Sequence, residues 1–98
     1  MKVVINRCFG GFGLSDGFIE AYPQFKEYRY SYYDEKDKRT DKDFISALES
    51  FGLEKANGYC ASLKIIELPN DITDWEINEY DGSESITCIV DGKIKHLY

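Results

Sequence analysis

The sequence predicts an α+β domain, a small mixed β-sheet with two helices on one face and a C-terminal β-hairpin. Three observations carry this. Residues 2–6 (Lys-Val-Val-Ile-Asn) have a β-branched centre; two stretches of helical spacing follow capping residues at Ser15 and Thr40-Asp41; and Asp-Gly pairs at 81–82 and 91–92 separate apolar runs. At 98 residues, the chain is sized for a single domain, 1–98.

Taken in order, residues 2–6 read as a short internal strand. The Gly-rich segment Phe9-Gly10-Gly11-Phe12-Gly13 turns the chain into Leu14-Ser15-Asp16, where Ser15 is the expected N-cap and Asp16 sits at the positive end of the helix dipole. Phe18, Ile19 and Tyr22 have helical spacing, and Pro23 is expected to end that helix. Residues 26–33 (Lys-Glu-Tyr-Arg-Tyr-Ser-Tyr-Tyr) read as a second strand with Tyr28, Tyr30 and Tyr32 on one face and Arg29 on the other. Residues 34–39, dense in charges of both signs, read as a solvated loop.

Thr40-Asp41-Lys42-Asp43 resembles a capping box and opens a helix over about 41–50, with Phe44, Ile45 and Leu48 inward and Gly52 as the stop. Ala56-Asn57-Gly58 is turn chemistry, residues 59–68 read as a third strand, and Trp75 to Tyr80 alternates as a half-buried fourth. The segments 85–90 and 93–98 form the expected terminal hairpin. The order β-α-β-α-β-β-(ββ) favours helices on one sheet face.

Composition narrows function. Hydrophobic residues make up 43%, which supplies a core, and eight Tyr ask for wet edges, so a rim or a homo-oligomer contact is expected. A net charge of −6 with no basic stripe argues against duplex DNA as a partner, while a pocket with a few local donors still suits a small anion. No apolar run approaches the roughly 20 residues of a membrane span. Cys8, Cys60 and Cys88 are widely spaced, without CxxC, and read as reduced, buried thiols of a cytoplasmic chain.

No catalytic set emerges. The only histidine, His96, lies three residues from the end, so Cys8 has no evident base. Metal-ligand spacing is absent, no cofactor is expected, and Glu76, Glu79, Asp81 and Glu84 read as a solvated acidic face. The candidate binding residues cluster instead around the Gly-rich turn: Arg7, Phe9, Gly10, Gly11, Phe12, Gly13 and Ser15, with Arg29 among its tyrosines. Glycines let a backbone approach an anion, aromatics stack on a base, and a guanidinium grips a phosphate. The spacing is neither GxGxxG nor GxxxxGK[ST], and a tight strand-to-helix turn accounts for the glycines equally well. Arg39 reads as an ordinary surface ion-pairing residue.

Two stretches carry a resemblance. Residues 3–16, VVINRCFGGFGLSD, and 63–84, LKIIELPNDITDWEINEYDGSE, resemble small phage- and prophage-encoded proteins with an N-terminal KVVIN-x-C-(F/Y)-GGFGLS signature and a later LKVVEIP-DD-…-W-I-EEYDG signature. Such proteins are similar in turn to Thoeris anti-defence sponges, which sequester cyclic ADP-ribose signals without cleaving them. The motif positions that match are Asn6, Cys8, Gly10, Gly11, Gly13, Leu14 and Ser15, then Trp75, Glu79, Tyr80, Asp81 and Gly82. After Ile86 the pattern departs: a Thr87-to-Tyr98 hairpin stands where the resemblance implies a basic, aromatic tail. The resemblance implies a phage accessory protein in the host cytoplasm that binds a small anionic nucleotide signal. The alternative is an acidic inhibitor of a host defence protein, one that binds nucleic acid.

Overall fold

A β-branched opening strand with both faces buried organises the molecule. The computed structural model describes residues 1–98. Strand β1 (Lys2–Asn6) pairs antiparallel with β2 (Leu63–Glu67), in register from Lys2↔Glu67 to Asn6↔Leu63. Strands β3 (Ile72–Tyr80), β4 (Ser83–Val90) and β5 (Lys93–His96) form a separate antiparallel meander in that order. The α+β class and the C-terminal hairpin are as expected, but the single mixed sheet is replaced by two antiparallel ones. The cause lies at the free edge of β1. There the Asn6 N–H donates to Glu84 Oε1 at 2.8 Å and the Val4 carbonyl accepts from Arg39 Nη1 at 3.3 Å, so side chains fill the place of a further strand.

Alternation along β1 feeds two cores. Val4 joins Phe12, Leu14, Phe18, Phe25, Phe44 and Leu48 on the helical side. Val3 and Ile5 point the other way, to Leu68, Ile77 and Ile86 between the sheets. The helical core is held by α1 (Asp16–Ala21), a 3-10 helix (Pro23–Tyr28), α3 (Lys42–Phe51) and the short α4 (Leu53–Ala56), with α2 (Lys36–Arg39) leading into α3. Phe18 is fully buried with Tyr22, Phe25, Phe44 and Phe51 around it, at ring-centroid distances of 5.1–6.4 Å. Truncating such a residue costs about 3–5 kcal/mol.

The caps follow local chemistry. Ser15 Oγ accepts from the Phe18 N–H at 3.1 Å, as expected. At α3 the cap is Asp41 rather than Thr40: its carboxylate accepts from the N–H groups of Asp43 and Phe44. Gly52 ends α3, after which α4 restarts the helical path. Both Asp-Gly pairs close tight hairpins with positive φ at each residue, the twist-matched geometry of two-residue turns.

Four further expectations are overturned and one is trimmed. Residues 26–33 are not a strand: local bonds from Arg29 N–H to Lys26 O and Ser31 N–H to Tyr28 O curl the chain. Tyr28 turns inward, its ring 4.8 Å from that of Phe44 and its hydroxyl 2.6 Å from Asp41 Oδ2, while Tyr30 and Tyr32 stay exposed. Residues 34–39 are not all a solvated loop, because α2 carries Arg39 to full burial. Glu84 likewise leaves the acidic face, buried on the inward side of β4 with Ile86, Cys88 and Val90. Of the cysteines only Cys88 is buried; Cys8 is half-buried and Cys60 exposed. The third strand is shorter than expected, since a turn from Ala61 N–H to Gly58 O delays its start to Leu63. No helix is long and apolar enough to cross a membrane.

Candidate functional site

The Gly-rich turn is anchored before it is shaped. Asn6 is fully buried and all four bonding positions of its amide are used. Nδ2 donates to the carbonyls of Cys8 and Gly82 at 2.7 and 2.8 Å, and Oδ1 accepts from the N–H groups of Cys8 and Ser62 at 3.3 and 2.7 Å. Asn6 therefore ties the start of the turn to the β3–β4 hairpin and to the entry of β2. The Gly10 N–H adds a bond to the Asp81 carbonyl at 3.0 Å. The two motif stretches, far apart in sequence, are in direct contact here.

Close approach of three backbones explains the key glycines. A Cβ on Gly82 would lie 2.3 Å from the Gly11 nitrogen, and one on Gly58 would lie 2.8 Å from the Gly13 carbonyl carbon. Neither position tolerates a side chain without moving the loop. The Gly58 N–H also donates to Gly13 O at 2.9 Å, which seats the turn on the segment before β2.

Beside this turn lies a groove of about 320 Å³. Six of the eight sequence-derived candidates line it: Gly10, Gly11, Phe12, Gly13, Ser15 and Arg29. Arg7 and Phe9 do not. Arg7 Nη1 donates to the Glu84 carbonyl at 2.7 Å and its guanidinium stacks 4.9 Å from the Tyr98 ring, so it serves the sheet; Phe9 is 66% exposed. Phe12 contributes mainly from within, buried against the guanidinium of Arg39 at 3.8 Å. Ser15 Oγ spends its proton on the Lys55 carbonyl at 2.7 Å, besides capping α1.

The remaining lining residues, Leu14, Asp16, Tyr30, Asn57, Gly58 and Tyr59, were not among the sequence-derived candidates. Tyr59 is almost entirely exposed and Tyr30 is 71% exposed. Tyr59 arrives only through the seating of Gly58 on Gly13, which no local pattern announces. Asp16 is ion-paired with Arg29 Nη2, and that hydrogen bond holds the guanidinium pKa above its usual value. Arg29 Nε is enclosed and has no acceptor in the chain. The N–H groups of Gly11, Phe12 and Gly13 likewise make no hydrogen bond within the chain. Residues lining the groove thus carry N–H donors without a partner in the chain, and the Arg29 guanidinium lies over the Tyr30 ring at 5.6 Å.

No group of three His, Cys, Asp or Glu side chains is placed to hold a metal ion. The chain matches no protein-family model, no curated protein and no solved structure.

Proposed function

We propose that the chain is a non-catalytic binding protein whose Gly-floored groove takes a small anion joined to a flat ring, concretely a cyclic nucleotide or ADP-ribose-type signal. In this reading it is a phage accessory protein that sequesters the signal in the host cytoplasm. The observation that carries the reading is the grouping of unused donors. Arg29 Nε and the amides of Gly11, Phe12 and Gly13 belong to residues lining one groove, with Tyr30 and Tyr59 beside them for stacking. The phage-like resemblance of residues 3–16 and 63–84 supports the biological setting, and the two stretches meet at Gly10 and Asp81. Binding without turnover is favoured because Ser15, the one aliphatic hydroxyl in the groove, donates its proton to a backbone carbonyl rather than to a base.

The test is thermal unfolding against a panel of cyclic nucleotides and ADP-ribose derivatives, with analysis of ligand released by denaturation. A cognate ligand at a hundredfold excess over Kd stabilises the fold by about 2.7 kcal/mol, and Arg29→Ala reduces that gain. No shift with any member, and no intact ligand recovered, overturns the reading.

A further inference from the structure

Across Tyr30 from that groove, the segment between the 3-10 helix and α2 has no regular structure, yet it is tied down. Arg39 Nε donates to Ser31 Oγ at 2.7 Å and Nη2 donates to the Ser31 carbonyl at 2.9 Å. The Tyr32 N–H donates to Glu35 Oε1 at 2.8 Å, and the Glu35 N–H returns a bond to the Tyr32 carbonyl at 3.1 Å. Because Ser31 is drawn into the interior, its neighbours are turned out: Tyr30 and Tyr32 are 71% and 73% exposed, and Tyr33 is 41% exposed. Their backbone is held, so their arrangement carries a reduced ordering cost on binding.

These three rings and Glu79 border a second groove, of about 410 Å³, floored by the Gly11–Phe12 backbone. No Lys or Arg lines it. Arg39 lies behind the floor, with its charge taken up by Glu84. Glu79 has no cationic partner; its Oε1 accepts only the Gly82 N–H, at 2.7 Å. Aromatic faces with an unpaired carboxylate attract a cation, and among cations the planar guanidinium can stack on a ring while bonding a carboxylate. The net charge of −6 adds long-range attraction for a basic partner.

We propose that this groove docks an arginine side chain presented by a basic segment of a partner protein, stacked among Tyr30, Tyr32 and Tyr33 and paired with Glu79. The inference goes beyond the anion groove and does not depend on it.

The experiment is calorimetric titration of the full chain with a blocked tetra-arginine peptide and with its tetra-lysine counterpart. Arginine binds more tightly than lysine, and added salt weakens both. Glu79→Gln keeps an acceptor for the Gly82 N–H while removing the charge, and weakens the arginine peptide about ten-fold. Tyr32→Ala weakens it several-fold, and Tyr32→Phe restores most of the loss because the ring face survives. Glu54→Gln, which makes the same change in net charge outside the groove, leaves affinity within about two-fold. Equal losses for Glu79→Gln and Glu54→Gln, an unaffected Tyr32→Ala, or no binding of the arginine peptide would each overturn the proposal.

Discussion

Arg39 and Glu84 stand 45 residues apart in the chain and meet as a buried bidentate pair, Nη1 to Oε1 at 2.5 Å and Nη2 to Oε2 at 2.8 Å. All five N–H donors of Arg39 are used: these two, the two on Ser31, and one on the Val4 carbonyl. Glu84 Oε1 also accepts from the Asn6 N–H, so the pair joins β1, β4 and the tyrosine segment at one point. Glu84→Leu leaves a buried guanidinium and a backbone donor without partners, and is expected to cost about 3–5 kcal/mol in urea unfolding. Glu84→Gln retains an acceptor for Asn6 and should cost less. The difference between the two variants separates the ionic share from the backbone hydrogen bond.

The two hairpins offer a matched pair. Gly82 and Gly92 follow aspartates in similar turns, with φ of +90° and +74°, yet only Gly82 abuts another backbone. Gly92→Ala should cost about 1–3 kcal/mol from the left-handed conformation alone. Gly82→Ala carries that penalty and a 2.3 Å clash with Gly11, so it should be clearly worse and should also disturb Gly11. Thermal unfolding of both variants, with the amide resonances of Gly10 and Gly11 as the local probe, checks this.

Asn6 is the hub of the turn. Asn6→Ala leaves the Gly82 carbonyl and the Ser62 N–H without their buried partner, with a cost of about 1–3 kcal/mol for each orphaned group. Asn6→Asp supplies no donor to Gly82 and places a carboxylate against two carbonyls, so it should be more damaging than its small volume change implies. Hydrogen exchange at Gly10 and Ser62 should rise in both variants, and more in Asn6→Asp.

The Tyr28–Asp41 bond makes stability depend on pH at both extremes. Its hydrogen bond to Asp41 raises the Tyr28 phenol from 10.0 to about 12, so its contribution is complete below pH 10 and is lost as pH climbs through about 12. Asp41 is held below its usual 3.8, first by Tyr28 and then by the Phe44 and Asp43 amides, so its contribution is present above that value and fades as pH falls through the lowered one. Tyr28→Phe should abolish the alkaline loss and leave part of the acid loss, because the amide bonds persist. Denaturant unfolding across pH, beside an absorbance titration of the tyrosines, reads both limbs.

Local chemistry made much of the fold legible. Ser15 and the Asp-Gly pairs each act within four residues, and the apolar spacing of α3 needs no distant partner. Residues 26–33 misled because alternate tyrosines imitate a strand. The curl there is decided by Phe44 and Asp41 drawing Tyr28 inward. Arg39 was illegible for a similar reason, since it looks like any charge in a charged run until Glu84 arrives. Glu84 did carry a signal: it lies two residues from Ile86, on the inward register of its strand. At the groove, glycines and Arg29 could be named from residue type, whereas Tyr59 and Gly58 enter only through long-range backbone docking.

The sealed edge of β1 also has a kinetic meaning. Its seal joins residues separated by 45 and 78 positions, so it closes only after the strands and helices bearing them have assembled. Contacts of that kind are expected to be absent from the folding transition state. Weakening the pair should then accelerate unfolding while leaving the refolding rate nearly untouched. The seal acts as a latch on the finished molecule, setting how long the native state persists more than how quickly it is reached.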